Sequence, residues 1–320
     1  MTIAKPLVSI LIPVFNAEPY IRQCLDSVVA QTYRNLQVVL IDDGSKDNSL
    51  SICNSYAEKD NRLEVYHQEN QGVAATRNHL LEMVMGDYVL FVDSDDWIEF
   101  EMVEYLVKKA IVNNSSMVVC SMVKNNEDFD STIQNEEVWE QPKAVLEFLR
   151  HVRFNGSLWN KLVATSLLHN VSIPCGISYG EDALFMWNVL QKCNRILVTD
   201  KVLYHYRMND SSLSHQSWSP EKKGTGSIVW RTITDETCMF WPQYTNIAQA
   251  RYAIEDMWGL YFASLANYPY DENIRERQLN IRRSLKQIRR SGLVSKNKIL
   301  AAYALAYCYH SGKLLKYMYN

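Results

Sequence analysis

Four short apolar runs, Val8 to Ile12, Leu36 to Ile41, Leu63 to His67 and Tyr88 to Val92, alternate with segments whose apolar residues recur at helical spacing. No other feature restricts the fold as strongly. The first intervening segment puts Ile21, Cys24, Leu25 and Val28 on one helical face, and helices near Ser49 to Glu58 and Val73 to Met85 follow. Strands separated by crossover helices lie parallel, so the pattern predicts an α/β protein with a mainly parallel sheet flanked by helices. A chain of 320 residues can bury the core that such a sheet needs, as one large domain or two of ordinary size.

In sheets of this kind ligands collect beyond the carboxyl ends of the strands, where loops converge and helix N-termini point inward. Here each exit is polar. The first run closes on Pro13-Val14-Phe15-Asn16, the second on Asp42-Asp43-Gly44-Ser45 and the fourth on Asp93-Ser94-Asp95-Asp96. Asp93 and Asp95 leave a rigid strand two residues apart, so their carboxylates can converge on one hard cation, Mg²⁺ or Mn²⁺, shared with substrate phosphates. The same residues also suit an acidic turn that caps the next helix. Asp42-Asp43-Gly44-Ser45 is likewise a turn signature, and a carboxylate at that exit can accept from a base or a ribose hydroxyl as well.

Downstream, Asn125 to Glu137 is polar and weakly periodic and reads as a surface loop between two halves, and the chain is helical from about Ile247. The expected division is therefore 1–125, 126–246 and 247–320. Gly180-Glu181-Asp182 opens a helix with Ala183, Met186, Trp187 and Leu190 on one face. Asp182 can serve there as a cap, or as a general base held in place by the free amides of the helix end.

The net charge of -3 predicts no wholesale binding of nucleic acid. Seven scattered cysteines without CxxC spacing suit a reducing compartment and no zinc site. No apolar stretch approaches the roughly 20 helical residues that a bilayer requires. The expected location is the cytoplasm, with the inner face of the membrane as a second option. For that option, Arg275 to Lys298 is rich in cations, and Ala301 to Tyr319 mixes aromatics with Lys313 and Lys316. These segments read either as a solvated helical face or as an interfacial contact with anionic lipid.

Taken in order, the motifs resemble the family 2 glycosyltransferases of GT-A fold, especially bacterial enzymes of surface-polysaccharide assembly. The residues that carry the likeness are VSILIPVFNAEPYIRQCLDSVVAQTY from Val8, VVLIDDGSKDNS from Val38, NQGVAATRN from Asn70 and YVLFVDSDDW from Tyr88. LWNKL from Leu158, YGEDALF from Tyr179 and YHYRMNDSSLS from Tyr204 continue it. The resemblance implies a Rossmann-like GT-A fold with a helical C-terminal region. It also implies a uridine site of Pro13, Phe15, Asn16 and Asp42, with Asp43 nearby, Arg77 approaching the nucleotide, Asp93 facing ribose or metal, Asp95 on the metal and Asp182 as the base. Ala74, Thr76 and His79 depart from the usual serine, alanine and glycine around Arg77. In LWNKL, Trp159 can stack on a sugar and Lys161 can offer a mobile cation to a diphosphate, or the two can be a buried tryptophan and a surface lysine. His205 and Arg207 can reach a diphosphate or serve structural pairs.

The expected reaction is inverting transfer of a hexose from a UDP-sugar to a hydroxyl of a glycan or polyprenyl-diphosphate-linked acceptor. Two alternatives are a nucleotidyltransferase that makes sugar nucleotides and a non-catalytic scaffold that binds them. A dehydrogenase is disfavoured, because no GxGxxG follows the first strand and the Gly224-Thr225-Gly226 segment lies far from any early βα turn.

Overall fold

A computed structural model describes residues 5–125, 127, 129, 135–208 and 224–319. The chain divides into two compact units, one of Met1–Ala144, Gly156–Cys175 and Phe185–Asn209, the other of Val145–Asn155, Gly176–Leu184 and Asp210–Asn320.

The first unit carries the sheet. Its opening elements are β1 (Val8–Val14), α1 (Ile21–Val29), β2 (Leu36–Asp42), α2 (Ser49–Ala57), β3 (Leu63–His67), α3 (Val73–Glu82) and β4 (Tyr88–Phe91). The expected strands and helices all form. Then come β5 (Trp97–Ile98), α4 (Met102–Asn113), β6 (Met117–Lys124), β7 (Glu136–Glu140), α5 (Gln141–Arg150), β8 (Lys161–Ala164), α6 (Glu181–Leu190) and β9 (Arg195–Tyr206), the residues of α5 and α6 being divided between the two units. The strand order is β3-β2-β1-β4-β8-β6-β9-β5, and β7 pairs with β9. β1 runs parallel to both β2 and β4, and β2 runs parallel to β3. Antiparallel β8 then joins β4 to β6.

Every residue of β2, and all of β1 except Pro13, is buried, as expected of central strands covered by helices on both faces. The helix periodicity is borne out as well. Ile21, Cys24, Leu25 and Val28 of α1 all enter the core beside Ile10, Ile12 and Leu40. At the far edge β3 buries only Leu63, and its last residues face water.

Among the described residues after Tyr206, which belong mostly to the second unit, helix is already present at Gly226, ahead of the Ile247 marked by the periodicity. The helices here are α7 (Gly226–Phe240), α8 (Thr245–Leu265), α9 (Glu272–Ser291), α10 (Lys296–Tyr307) and α11 (Ser311–Tyr319). Asp271 caps α9 by accepting from the N–H of Ile274 at 2.9 Å, and Gly292 closes it at a φ of 68°. Ile274, Ile281, Leu285 and Ile288 line the inner face of α9 and pack with Met257, Leu260 and Leu305. Among the described residues no helix is long and apolar enough to cross a membrane. Most of the polar stretch after Asn125, and Asn209 to Ser214 of the YHYRMNDSSLS segment, lie outside the described residues.

Candidate active site

Because β1 pairs in parallel with β2 on one side and β4 on the other, three polar exits sit side by side on one sheet edge of the first unit. Strands lie roughly 4.8 Å apart, so the exits of β2 and β4 are about 10 Å apart, a nucleoside's length.

The first two exits are tied together by hydrogen bonds. Asn16 takes a left-handed φ of 47°, which asparagine tolerates better than most residues. Its N–H donates to Ser45 Oγ at 2.9 Å, and its side-chain oxygen accepts from the N–H of Lys46 at 2.8 Å. The N–H of Asp43 donates to the Val14 carbonyl at 2.8 Å. This clamp leaves Phe15 50% exposed, an aromatic face held at the rim with Pro13 half-buried behind it. Gly44, at a φ of 74°, makes the turn, and a Cβ there would lie 2.9 Å from the Asn70 nitrogen.

Asp42 and Asp43 are neighbours with opposite surroundings. Asp43 is buried and its carboxylate is fully engaged. Oδ1 accepts from Gln68 Nε2 at 2.8 Å and from the N–H of Gln71 at 2.9 Å, and Oδ2 accepts from the N–H of Gly72 at 2.9 Å. It thereby holds the loop that leads into α3. On Asp42, Oδ2 accepts from the N–H of Ser45 at 3.2 Å and meets His67 Nδ1 at 2.8 Å, whereas the buried Oδ1 has no partner among the described residues. An unfilled buried acceptor is uncommon, and a donor is what the site lacks.

At the β4 exit, Asp93 Oδ1 pairs with Arg77 Nη2 at 2.9 Å, so the arginine of α3 does reach the carboxylate cluster. The backbone oxygen of Asp95 accepts from Arg207 Nε at 2.7 Å. Behind them Asp96 is buried, accepting from the Tyr204 hydroxyl and from the N–H of Arg207, both at 2.7 Å. The N–H of Asp93 donates back to the Tyr204 oxygen at 3.2 Å. Burial first, and then the charges of Asp93 and Asp95, push the Asp96 carboxyl up to about 8. Arg207 itself lies between the rings of Tyr20 and Trp97, 5.0 and 4.8 Å from their centroids.

Asp96 and Tyr204 are absent from the sequence-based site, although the doubled aspartate after Ser94 and the YHYR run are their signals, and Arg207, open between a diphosphate and a structural pair, here makes structural bonds to Asp95 and Asp96. His205 is a structural residue here, stacked on Trp97 at 4.8 Å and held to Glu99 at 2.6 Å.

Trp159 is half-buried and stacks on Tyr204 and Tyr206, with centroids 4.7 and 5.6 Å away. Lys161, expected as a mobile cation, is instead 1% exposed. Its Nζ donates to the Ser157 carbonyl at 2.7 Å, Ser157 Oγ at 3.0 Å and Asn160 Oδ1 at 2.6 Å. An ammonium spent on three buried acceptors is an anchor for this strand start, not a hand extended to a phosphate.

Asp182 belongs to the second unit, in the first turn of α6. Gly180 makes the turn into the helix at a φ of 90°, and Asp182 Oδ1 accepts from the N–H of Ala183 at 2.7 Å. The residues expected on its inner face, Ala183, Met186, Trp187 and Leu190, are all buried.

Among the described residues no group of three or more His, Cys, Asp or Glu side chains forms a metal cage made of protein alone. Asp93 and Asp95, both half-buried at the β4 exit, have the hard carboxylate oxygens that Mg²⁺ and Mn²⁺ take together with phosphate oxygens and water, so their chemistry suits a site shared with substrate.

The model of Glycosyl transferase family 2 matches residues 9–177, more than half of the chain. EpsH of Bacillus subtilis (strain 168), named a glycosyltransferase, is 36% identical over 216 residues, covering 65% of this chain and 62% of EpsH. The glycosyltransferase GlyA of Streptococcus pneumoniae serotype 4 is 34% identical over 65% of this chain and 31% of its own length. The chain thus spans less than two thirds of these relatives. Among solved structures, S. aureus TarS in complex with UDP-GlcNAc matches with a TM-score of 0.73 at 23% identity, over 98% of this chain and 92% of TarS. The mannosyltransferase PcManGT of Pyrobaculum calidifontis, in complex with GDP-Man and Mn²⁺, matches with a TM-score of 0.57 at 16% identity, over 95% of this chain and 88% of its own. These likenesses show a GT-A fold. With its match to the family over more than half its length, the chain belongs to glycosyl transferase family 2.

Proposed function

We propose that the chain moves a hexose from a UDP-sugar to a hydroxyl of a glycan or polyprenyl-diphosphate-linked acceptor in bacterial surface-polysaccharide synthesis, with inversion at the anomeric carbon. The observation that carries the donor side is the buried Oδ1 of Asp42, unpartnered among the described residues, at the exit next to the one that bears the exposed Phe15 and two strands, about 10 Å, from the exit that bears Asp93 and Asp95. A uracil imide N–H is the donor that Oδ1 lacks, Phe15 offers a stacking face, and the Asn16 clamp keeps both loops in place. TarS binds UDP and UDP-GlcNAc on this fold, which supports a uridine diphosphate donor.

Asp93 and Asp95 would hold Mg²⁺ or Mn²⁺, which when bound neutralises charge on a departing diphosphate; the Mn²⁺ of PcManGT supports that choice. Arg77, paired with Asp93, orients that carboxylate. Asp182 is the base that takes the proton of the acceptor hydroxyl, and the free amides of its helix end steady it. In this reading residues 1–125 form the nucleotide-sugar half, 126–246 the acceptor half and 247–320 a helical region. Trp159, half-buried against Tyr204 and Tyr206, is the sugar-stacking candidate.

The helical region offers one further surface. Arg282, Arg283, Lys286, Arg289 and Arg290 are exposed on α9, and Leu300, Tyr303 and Tyr307 are exposed on α10. Cations beside exposed apolar residues suit peripheral contact with an anionic membrane, where a lipid-linked acceptor would reside. Sedimentation with anionic vesicles at low salt should deplete the protein from solution, and equal partitioning onto neutral vesicles would remove the idea.

The deciding assay is UDP release from a panel of UDP-sugars with such acceptors, with NMR of the anomeric centre of the product. Asp182→Asn should abolish turnover and still bind UDP, because the amide keeps the cap but takes no proton. Full turnover by that variant retires the base, and pyrophosphate release when UTP and a sugar 1-phosphate are supplied instead makes the chain a nucleotidyltransferase.

A further inference from the structure

The Gly224-Thr225-Gly226 segment is no dinucleotide loop, and the second unit shows what it contacts. Thr225 Oγ1 accepts from the N–H of Tyr179 at 3.0 Å and stands 3.2 Å from the Tyr179 carbonyl, to which it donates. One hydroxyl therefore grips both backbone groups of the residue that enters the Gly180 turn. Gly226 closes the contact on the ring side, because a Cβ there would lie 3.0 Å from Tyr179 Cδ1 and 3.0 Å from Glu255 Oε1. From Tyr179 the chain turns at Gly180 and starts α6, whose first bond runs from the N–H of Leu184 to the Gly180 carbonyl at 3.1 Å. Asp182 lies inside that turn.

The segment is itself anchored from below. Arg277 of α9, 3% exposed, donates through Nη2 to the Gly224 carbonyl at 2.7 Å and through Nη1 to Asp256 Oδ1 at 3.1 Å. Asn280 donates to the other oxygen of Asp256 at 2.7 Å, and Asp256 is fully buried. The guanidinium reaches across α8 only because position 259 is glycine, where a Cβ would stand 2.5 Å from Nη1. A continuous line of polar contacts thus runs from α8 and α9 through Gly224 and Thr225 to Tyr179.

We propose that Thr225 is a positioning residue for Asp182, and that Arg277 and Asp256 hold Thr225 in place, so that the C-terminal helices are part of the catalytic apparatus. The proposal rests on the reading of Asp182 as the base. Surface polarity alone would not require a threonine hydroxyl to satisfy both backbone groups of Tyr179, nor two glycines cut to fit a ring and a guanidinium. Within three residues of Asp182, a shift of the turn displaces its carboxylate, and a misplacement of about 1 Å slows a positioned reaction by roughly 100-fold.

The test compares Thr225→Val and Thr225→Ser in steady-state turnover, UDP binding by calorimetry and thermal unfolding. Thr225→Val should lower kcat by about 10- to 100-fold while KM for the UDP-sugar and Kd for UDP stay within about twofold, and Thr225→Ser should restore turnover. In an Asp182→Asn background, where at most trace turnover remains, Thr225→Val should reduce that trace no further, because the group it positions has lost its function. Should Thr225→Val fail to fold, Arg277→Lys, which keeps the charge facing Asp256 and loosens Gly224, should show the same selective loss of kcat. Unchanged kcat in a folded Thr225→Val, or losses that add to those of Asp182→Asn, overturn the proposal. A fully active Asp182→Asn would bring down the base assignment itself, which is a separate result from an inactive Asp182→Asn beside a fully active Thr225→Val.

Discussion

Asp43→Ala should cost stability first and nucleotide affinity second, whereas Asp42→Asn should do the reverse. The Asp43 carboxylate serves three donors, at 2.8, 2.9 and 2.9 Å, and the residue is 3% exposed. Hydrogen bonds to a charged group contribute about 1.5–3 kcal/mol each. Gln71 and Gly72 are exposed, so their N–H groups can recover water, which reduces the loss to about 1 kcal/mol for each of those two bonds and, with the Gln68 bond, to about 4 kcal/mol in total. The loop from Gln68 to Gly72 then loosens and carries the start of α3, and with it the Arg77 to Asp93 pair. Asp43→Asn should lose less, about 1–2 kcal/mol, because one oxygen survives and only one donor meets a like group. Asp42→Asn should keep stability within about 1 kcal/mol of the parent, because the amide oxygen can stand in for the carboxylate oxygen that meets Ser45 and His67. It should weaken UDP binding by about tenfold, or about 1.4 kcal/mol. Urea unfolding of the first unit's signal and UDP calorimetry on all three variants give the comparison. If Asp43→Ala unfolds at the parental midpoint, the claim that this carboxylate organises the loop is wrong, whatever happens to binding.

Two other outcomes follow from the same geometry. Asp95→Ala should weaken UDP binding by about tenfold in the presence of Mg²⁺ or Mn²⁺ and leave metal-free binding unchanged, and calorimetry with and without EDTA tests it; a parental metal dependence removes the ligand assignment. Burial, opposed by Arg277, raises the Asp256 carboxyl to about 6. Against an unfolded value of about 3.9, the folded chain holds more protons from about pH 4 to 6, so this group lowers stability as pH rises through that window, by about 3 kcal/mol once complete. Asp256→Asn should lose that slope, and identical differences between unfolding at pH 4.5 and 6.5 in both proteins would contradict it.

Much of the first unit was legible before any coordinates. Strand and helix positions follow from apolar spacing, which is a local property, and the exits of β1, β2 and β4 follow from where that spacing stops. The duties of individual side chains at those exits were less legible. Asp42 and Asp43 look alike in sequence, yet one has an unfilled oxygen and the other is spent on a loop about 25 residues away, because Gln68, Gln71 and Gly72 arrive only when β3 pairs with β2. Asp96 gains its role from Tyr204 and Arg207, more than 100 residues downstream, brought alongside by the pairing of β5 with β9.

The sequence by itself determined the α/β order, the glycosyltransferase family and the aspartates worth testing, since periodicity and short motifs are written in neighbouring residues. Only the tertiary structure decided that the Lys161 ammonium is buried among Ser157 and Asn160, that Arg77 reaches Asp93, and that a threonine beside two glycines grips the turn ahead of Asp182. Burial and partnership depend on residues far apart in the chain, and those distances close only when the strands and helices pack.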